Sequence, residues 1–203
     1  MKLTNKLMKR LSLYLFLILF TLQAPSWADD IRDFEIEGMS IGDSLLDYFS
    51  KEEIKNNTNT GYYTNNEYTS VEFFELPSFE IYDSVGFNYK TDDKKYIIDA
   101  IGGTLFCEKN IEKCNKKQKE IDLELSNMLK KSQRVDDKGK HSADKSGKST
   151  FLHINFWLIS GDVVVIELVD WSEKITNEKG WTDNVNVSFR TEEFNDFLGI
   201  AFK

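Results

Sequence analysis

The chain is poor in positive charge. It has 26 Lys and Arg residues against 34 Asp and Glu residues, which gives a formal net charge of −8 at pH 7. The first 28 residues hold four basic and no acidic side chains, so residues 29–203 carry a net charge of −12. Proteins that bind nucleic acid need a basic face to displace counterions from phosphates, and proteins attracted to anionic lipid need basic clusters. The composition therefore argues against nucleic acid and against an anionic membrane surface as partners.

Long hydrophobic runs are also lacking, because the longest apolar run spans only 12 residues, at 11–22. A membrane-spanning helix needs about 20 apolar residues. The run follows four basic residues and precedes small residues at Ser26 and Ala28, which is the pattern of a cleavable secretory signal. We expect a signal peptide at residues 1–28, a periplasmic or secreted location and no stable membrane insertion after cleavage. The alternative is an uncleaved leader that anchors the protein in the inner membrane.

Cysteine is scarce as well, with Cys107 and Cys114 the only two in the chain. Neither lies near the expected cleavage point, which excludes lipid attachment at a new N-terminal cysteine. In an oxidising compartment an even pair suggests a disulfide. Closing the eight-residue loop between them would stabilise the fold by about 2.5 kcal/mol in the chain-entropy description. The alternative is a pair of buried free thiols.

Histidine is limited to His141 and His153, which leaves few ligands for a metal. None of the acidic pairs has the spacing of a calcium loop, and these pairs are Asp92–Asp93, Asp136–Asp137 and Glu192–Glu193. Gly102 and Gly103 lack the spacing of a phosphate-binding loop and lie in a strand-like run, so they predict a β-bulge instead. We expect no metal site and no cofactor.

The periodicity of apolar residues predicts an antiparallel α+β fold. One long helix is expected from Ile111 to Met128, because apolar residues recur there at steps of three and four. Short flanking helices are expected after Ser40, Ser50 and Thr191. Alternation with a period of two predicts a sheet of about six strands, at 68–75, 79–90, 95–106, 151–158, 163–171 and 185–189. Strands grouped in hairpins, with helices between the groups, indicate an antiparallel sheet.

The mature chain is expected to be a single domain. Its 175 residues, 29–203, fall within the usual size of one domain. Residues 132–149 are polar, charged and free of aromatic side chains, which predicts a mobile loop.

Two serine motifs overlap near the start of the mature chain. Residues 38–42 (GMSIG) match the nucleophile elbow G-x-S-x-G, and residues 42–45 (GDSL) resemble the opening block of the GDSL esterases. That resemblance implies Ser44 as the nucleophile. The later blocks of the family are missing, because no aspartate stands three residues before either histidine. The other interpretation is that Ser44 opens and caps a helix, and a GDSL-type esterase is kept as the alternative function.

Aromatic residues are the remaining candidates for a binding surface. Several lie in or beside polar, Asn- and Thr-rich segments, where exposed rings can stack on sugars or contact a partner protein. Trp181 is the first choice, because residues 171–181 are the least strand-like of these segments. The alternative for each ring is packing in the core or on the sheet. The full candidate set is Trp181, Trp171, Trp157, Tyr62 and Tyr63.

Residues 33–54 (DFEIEGMSIGDSLLDYFSKEEI) and 171–198 (WSEKITNEKGWTDNVNVSFRTEEFNDFL), together with the leader, resemble a group of uncharacterised exported proteins of marine alphaproteobacterial type. The resemblance implies export and an unassigned activity, and it carries over no catalytic residues. The architecture is also similar, more loosely, to the beta-lactamase inhibitor and outer-membrane assembly lipoprotein families. The lipid-anchor cysteine of those lipoproteins is absent here.

The missing triad, metal cluster and nucleotide loop lead to one functional hypothesis. We expect an acidic, exported protein that binds rather than catalyses, with an unknown protein or a small polar ligand as its partner.

The leader makes a direct prediction. Signal peptidase is expected to cut between Ala28 and Asp29, because the small residues at 26 and 28 suit its specificity. Intact-mass spectrometry of the exported protein should find a chain that starts at Asp29. A mass that includes Met1 or Lys2 would contradict the prediction and favour the membrane-anchored alternative.

Overall fold

Nine strands and four α-helices form the part of the chain described by a computed structural model, residues 30–107 and 110–201. The helices are α1 (Lys51–Asn56), α2 (Ile111–Met128), α3 (Glu173–Lys179) and α4 (Glu192–Leu198). The strands are β1 (Glu35–Ile36), β2 (Met39–Ser40), β3 (Tyr68–Phe74), β4 (Ser84–Lys90), β5 (Ala100–Phe106), β6 (Gln133–Lys140), β7 (Thr150–Trp157), β8 (Val163–Asp170) and β9 (Asn184–Arg190). The α+β class is confirmed. The expected signal peptide lies outside the described residues.

Seven of the strands form one sheet in the order β3-β4-β5-β9-β8-β7-β6, and every neighbouring pair is antiparallel. The count exceeds the six predicted strands by one. The last strand, β9, lies inside the sheet, where it pairs with β5 on one side and β8 on the other. It therefore joins an N-terminal group of three strands to a C-terminal group of three.

One face of this sheet carries the main core, and we call it the core face. Side chains alternate between the two faces of a strand, so every second residue of each strand points to this side. Phe73, Phe87, Ile101, Phe189 and Ile166 are among its buried members. Together with the residues that cover them, they form the larger of two hydrophobic clusters among the described residues.

Helix α2 covers the core face over β8 and β9. It spans the predicted residues Ile111–Met128, and its Cys114, Gln118 and Leu125 are buried, as the apolar stripe indicates. The Asn110 side chain accepts a hydrogen bond from the Lys113 N–H and so caps the start of the helix. The predicted disulfide is confirmed between Cys107 and Cys114, with a Cα–Cα distance of 5.7 Å, and it ties the end of β5 to α2.

The first strands form a separate two-stranded hairpin, β1-β2, fastened to the loop before β4. The carboxylate of Glu37, in the turn of this hairpin, accepts hydrogen bonds from the backbone N–H groups of Glu80, Ile81 and Tyr82, each at 2.8 Å. The backbone φ of Glu37 is 52° and that of Gly38 is 78°, as a two-residue turn between antiparallel strands requires. The hairpin is thus anchored through one side chain.

The caps of the short helices agree with the sequence. Ser50 and Glu53 form a reciprocal capping box at the start of α1, and Thr191 caps α4. The helix expected after Ser40 is only a 3₁₀ turn, Leu45–Asp47, capped by Ser44.

The predicted bulge at Gly102 and Gly103 is wrong. The pairing of β5 with β4 and with β9 continues without interruption through both residues. A Cβ atom at Gly103 would lie 2.5 Å from ring atoms of Tyr82, so glycine is needed there because an aromatic ring packs directly on the backbone.

Residues 132–149, expected to be a mobile loop, contain strand β6 over Gln133–Lys140, paired with β7 along its whole length. Charged side chains on both faces of β6 conceal the strand pattern in the sequence, and such charges are typical of an edge strand. The rest of the segment is a turn organised by Asp144. This buried carboxylate accepts bonds from Ser149 N and Oγ, Ser146 N and Ser172 Oγ at 2.8–2.9 Å.

Among the described residues, no helix is long and apolar enough to cross a membrane.

The Asp144 turn predicts a pH-dependent contribution to stability. Hydrogen bonds from Ser146 and Ser149 hold the pKa of Asp144 far below its ordinary value. A lowered pKa stabilises the fold above the unfolded-state value of about 3.9, and this stabilisation is lost as the pH falls towards the folded-state value. Asp144→Asn should therefore lower the melting temperature at pH 7, and the difference from wild type should shrink at pH 3. Thermal unfolding followed by circular dichroism measures both.

The matched control is Asp137→Asn on exposed β6, where the melting temperature should hardly change at either pH. An Asp144→Asn deficit that is equally large at pH 3 and pH 7 would show that the carboxylate charge is not what organises the turn.

Candidate functional site

The second face of the seven-stranded sheet is largely polar, and we call it the polar face. The pairing register places its side chains in rows across the strands. One row runs Ser84, Thr104, Asn186, Glu167, His153 and Asp137 from β4 to β6. The next runs Glu72, Gly86, Gly102, Ser188, Val165 and Asn155 from β3 to β7. A third contains Asn88, Ala100, Arg190, Val163 and Trp157.

One corner of the polar face is covered by helix α4 and the loop before β3. Tyr63, Tyr68, Phe194 and Phe197 form a second hydrophobic cluster there. The Tyr63 hydroxyl donates a 2.7 Å hydrogen bond to the Asn88 side-chain oxygen, and the residue is only 9% exposed. Tyr63 therefore contributes packing and presents little surface to a ligand.

A continuous row of rings crosses the other end of the polar face, and we call it the aromatic row. The Trp181 ring centroid lies 4.7 Å from that of Trp171, which lies 4.3 Å from His141. His141 contacts Phe151 edge-on at 6.4 Å, and Phe151 lies 4.6 Å from His153. Trp181 is 39% exposed, so the row begins at the surface, and it ends at His153 on β7, the second strand from the β6 edge of the sheet.

Local structure explains how the two tryptophans meet. Trp171 directly follows β8, and its backbone N–H donates to the Asp183 carboxylate at 2.8 Å. Helix α3 then turns the chain, and Gly180 ends it with a φ of 72°. The chain thus returns at Trp181 beside Trp171, with the Lys179 ammonium 4.3 Å from the Trp181 ring centroid.

At its inner end the aromatic row meets a carboxylate. His153 Nε2 lies 2.8 Å from the Glu167 carboxylate. Burial tends to raise the pKa of Glu167, but the hydrogen bond and charge of His153 and the charges of Arg190 and His141 outweigh it, so the pKa is lowered. An ionised carboxylate only accepts hydrogen bonds, so His153 must carry its proton on Nε2. Glu167 is therefore a fixed negative charge.

Burial of the His141 ring favours its neutral form. Burial is the main cause that lowers its pKa below the ordinary value. Its Nδ1 accepts a hydrogen bond of 3.2 Å from the Ala143 backbone N–H, which places the ring proton on Nε2.

Arg190 supplies the positive charge at the centre of the face. Its Nε donates to Ser188 Oγ at 3.0 Å. Within residues 30–107 and 110–201, its two terminal nitrogens donate no hydrogen bond, and it forms no ion pair with any carboxylate. Burial lowers the pKa of the guanidinium, and the charge of Glu167 opposes that effect. Arginine nevertheless stays protonated in proteins.

Gly86 leaves a depression on the polar face between β3 and β9, which we call the central trough. Its paired neighbour Gly102 lies beneath the Asn186 and Ser188 side chains, which a Cβ atom at Gly102 would approach to 3.2 Å. A Cβ atom at Gly86 would have only the Val71 carbonyl oxygen nearby among the described atoms, at 3.9 Å. Glu72 stands at the β3 side, where its Oε1 accepts from Ser84 Oγ at 3.0 Å and burial raises its pKa.

The structure brings the sequence-predicted rings to this same face. Trp171 and Trp181 lie in the aromatic row, and Trp157 shares a row with Arg190 and is partly buried. Tyr62 is 55% exposed, and its hydroxyl interacts electrostatically with Glu167, Glu72 and Arg190.

Sequence reasoning missed the charged centre of the face. Glu167 interrupts an otherwise apolar strand, and Arg190 continues the alternation of Asn184, Asn186 and Ser188. These were the available signals. They become informative only when the strand order places β8 and β9 inside the sheet.

Ser44 serves as a helix cap. Its hydroxyl donates to the Lys95 carbonyl oxygen at 2.6 Å and accepts from the Leu46 N–H at 3.2 Å, and both partners are backbone groups. Over the described ranges, no group of three or more His, Cys, Asp or Glu residues is arranged to hold a metal ion.

Comparison of the chain with protein-family models, curated proteins and solved structures finds no match.

The contact between His141 and Trp171 predicts a pH-dependent fluorescence signal. Protonated histidine quenches a neighbouring indole, and a ring separation of 4.3 Å is short enough for this. Because the pKa of His141 is lowered, quenching should develop with a midpoint below the ordinary histidine value of about 6.5. His141→Gln should remove the transition, while His153→Gln should retain it. A midpoint at or above 6.5 would contradict the lowered pKa of His141, and a transition that survives in His141→Gln would contradict its contact with Trp171.

Proposed function

We propose that the mature protein is an exported, non-catalytic module that binds a small polar ligand on the polar face of its sheet. The observation that carries this proposal is the aromatic row, which leads from exposed Trp181 to the ionised Glu167. Rings and hydrogen-bonding groups on one surface are what a small polyhydroxylated molecule requires. The rings cover its apolar faces, and the polar groups fix its orientation.

The sugar-like class of ligand is favoured over a large protein partner by the shape and polarity of the surface. The centre of a protein–protein interface is depleted of glutamate. Here the polar face carries Glu72 on β3 and Glu167 on β8, on either side of the central trough. A trough with charged and amide side chains suits a small ligand that brings its own hydrogen-bond donors and acceptors. An unknown protein partner is the competing outcome of the experiment below.

Binding is favoured over ester hydrolysis, because both contacts of Ser44 Oγ are with backbone groups. A nucleophilic serine needs a base within hydrogen-bond reach that is itself oriented by a third group. The only described histidine–carboxylate pair is His153–Glu167, on the polar face, and its Nε2 is already engaged by Glu167.

The proposed location is the periplasm or the extracellular space. The leader pattern supports export, and the resemblance to exported proteins of marine alphaproteobacterial type agrees with it. The disulfide is compatible with an oxidising compartment.

Sugar binding is tested by titrating the mature protein with neutral hexoses and uronic acids and following tryptophan fluorescence and heat release. At least one sugar should bind. Trp181→Ala should weaken it about two- to twelvefold, since a stacked ring contributes roughly 0.5–1.5 kcal/mol.

Tyr48→Ala is the matched control, because Tyr48 is 43% exposed and bonds to Asp43, away from the polar face. Affinity should not change in this variant. If none of the sugars binds, or if both variants weaken binding equally, the proposed site is wrong. A stoichiometric protein partner lost in Trp181→Ala would replace the small ligand with a protein.

A further inference from the structure

The chemical class of the ligand can be narrowed from Arg190. This residue ends β9 and faces Ala100 of β5 on one side and Val163 of β8 on the other. Neither neighbour offers a side-chain acceptor. Its Nε is held by Ser188 Oγ, which fixes the guanidinium towards the Ser188 row and the central trough.

Arg190 is half-buried, and its terminal guanidinium nitrogens have no hydrogen-bond acceptor among the described residues. Such nitrogens can donate to a bound anion, because a partly desolvated charge gains from an opposite charge and from hydrogen bonds. The negative charge of Glu167 raises the pKa of Arg190, but among the described residues the two side chains form no ion pair. The N–H groups of the two terminal nitrogens are therefore available to an acceptor outside the described residues. The planar fork of a guanidinium matches a carboxylate or a phosphate.

The surrounding charges distinguish between those two anions. Glu167 is ionised beside His153 and lies on β8, the strand next to that of Arg190. A phosphate monoester carries close to two negative charges at pH 7 and would be repelled more strongly by Glu167 than a carboxylate, which carries one. The oxygens of Glu167 accept hydrogen bonds and suit hydroxyl groups on the same ligand.

Building on the proposed function, we propose that the ligand is a hydroxylated monocarboxylate of the sugar-acid type, with its carboxylate bound by Arg190 and its hydroxyls by Glu167. The Tyr62 hydroxyl interacts electrostatically with Arg190 and Glu167, and its exposed ring is a further contact surface. A ligand of this class neutralises the charge of Arg190 and donates hydrogen bonds to Glu167.

The test uses matched pairs of sugars that differ only in a carboxylate. Glucuronate, galacturonate and mannuronate are compared with glucose, galactose and mannose by isothermal titration calorimetry on the mature protein, and glucose 6-phosphate serves as the phosphate probe. At least one uronate should bind about tenfold or more tighter than its neutral parent and than glucose 6-phosphate. A charge-assisted pair of hydrogen bonds accounts for a factor of this size.

Two variants assign the effect to Arg190. Arg190→Gln should remove the preference for the uronate, and Arg190→Lys should retain only part of it because the bidentate fork is lost. Arg134→Gln is the matched control, since Arg134 lies in the same sheet but is already paired with Asp122 and Asp136. That variant should keep the full preference. If Arg190→Gln does not fold, the wild-type comparison and Arg190→Lys decide the question.

The outcomes separate this inference from the proposed function. Equal binding of a uronate and its neutral parent, or a preference that survives in Arg190→Gln, would overturn the carboxylate assignment and leave sugar binding intact. Tighter binding of glucose 6-phosphate than of every uronate would replace the carboxylate with a phosphate. Failure of all six sugars to bind would overturn the proposed function and this inference with it.

Discussion

The alternation of side chains along seven paired strands is the constraint on which the rest of the structure depends. One set of alternate residues is apolar and is buried by α2 and the N-terminal segment, which leaves the other set on the polar face. A shift of one residue in any strand would move its apolar side chains to the wrong side, so the core specifies the register strongly. The positions of Glu167, His153 and Arg190 relative to one another follow from that register.

The candidate site is therefore rigid, because the packed core fixes the strands that carry it. Glu167 and Arg190 lie on interior strands, and their backbones are hydrogen-bonded on both sides. Binding groups on strands are held more accurately than groups on loops. The aromatic row adds a less rigid part, because Trp181 follows the short helix α3 while Trp171 and Phe151 stay close to the sheet.

Local signals in the sequence were sufficient for elements with strong periodicity or caps. The long helix, the capping box at Ser50 and the cap at Thr191 depend on neighbouring residues only, and all three were predicted. Strand β6 was missed because it buries neither face and so shows no alternation. Arg190 was missed for a different reason. Charge at the end of a strand normally indicates exposure, and only the strand order reveals that β9 lies inside the sheet.

The interior position of β9 also affects how the chain folds. Synthesis produces β3-β4-β5 first and β6-β7-β8 later, and each group has an edge that only β9 pairs with in the finished sheet. Both edges stay open until residues 184–190 exist, and open edges are sites for pairing with other chains. The pairing of β5 with β9 joins residues about 85 positions apart, which slows folding because a large loop must close first. The last strand made thus completes the sheet, and a chain that stops short of it has two aggregation-prone edges.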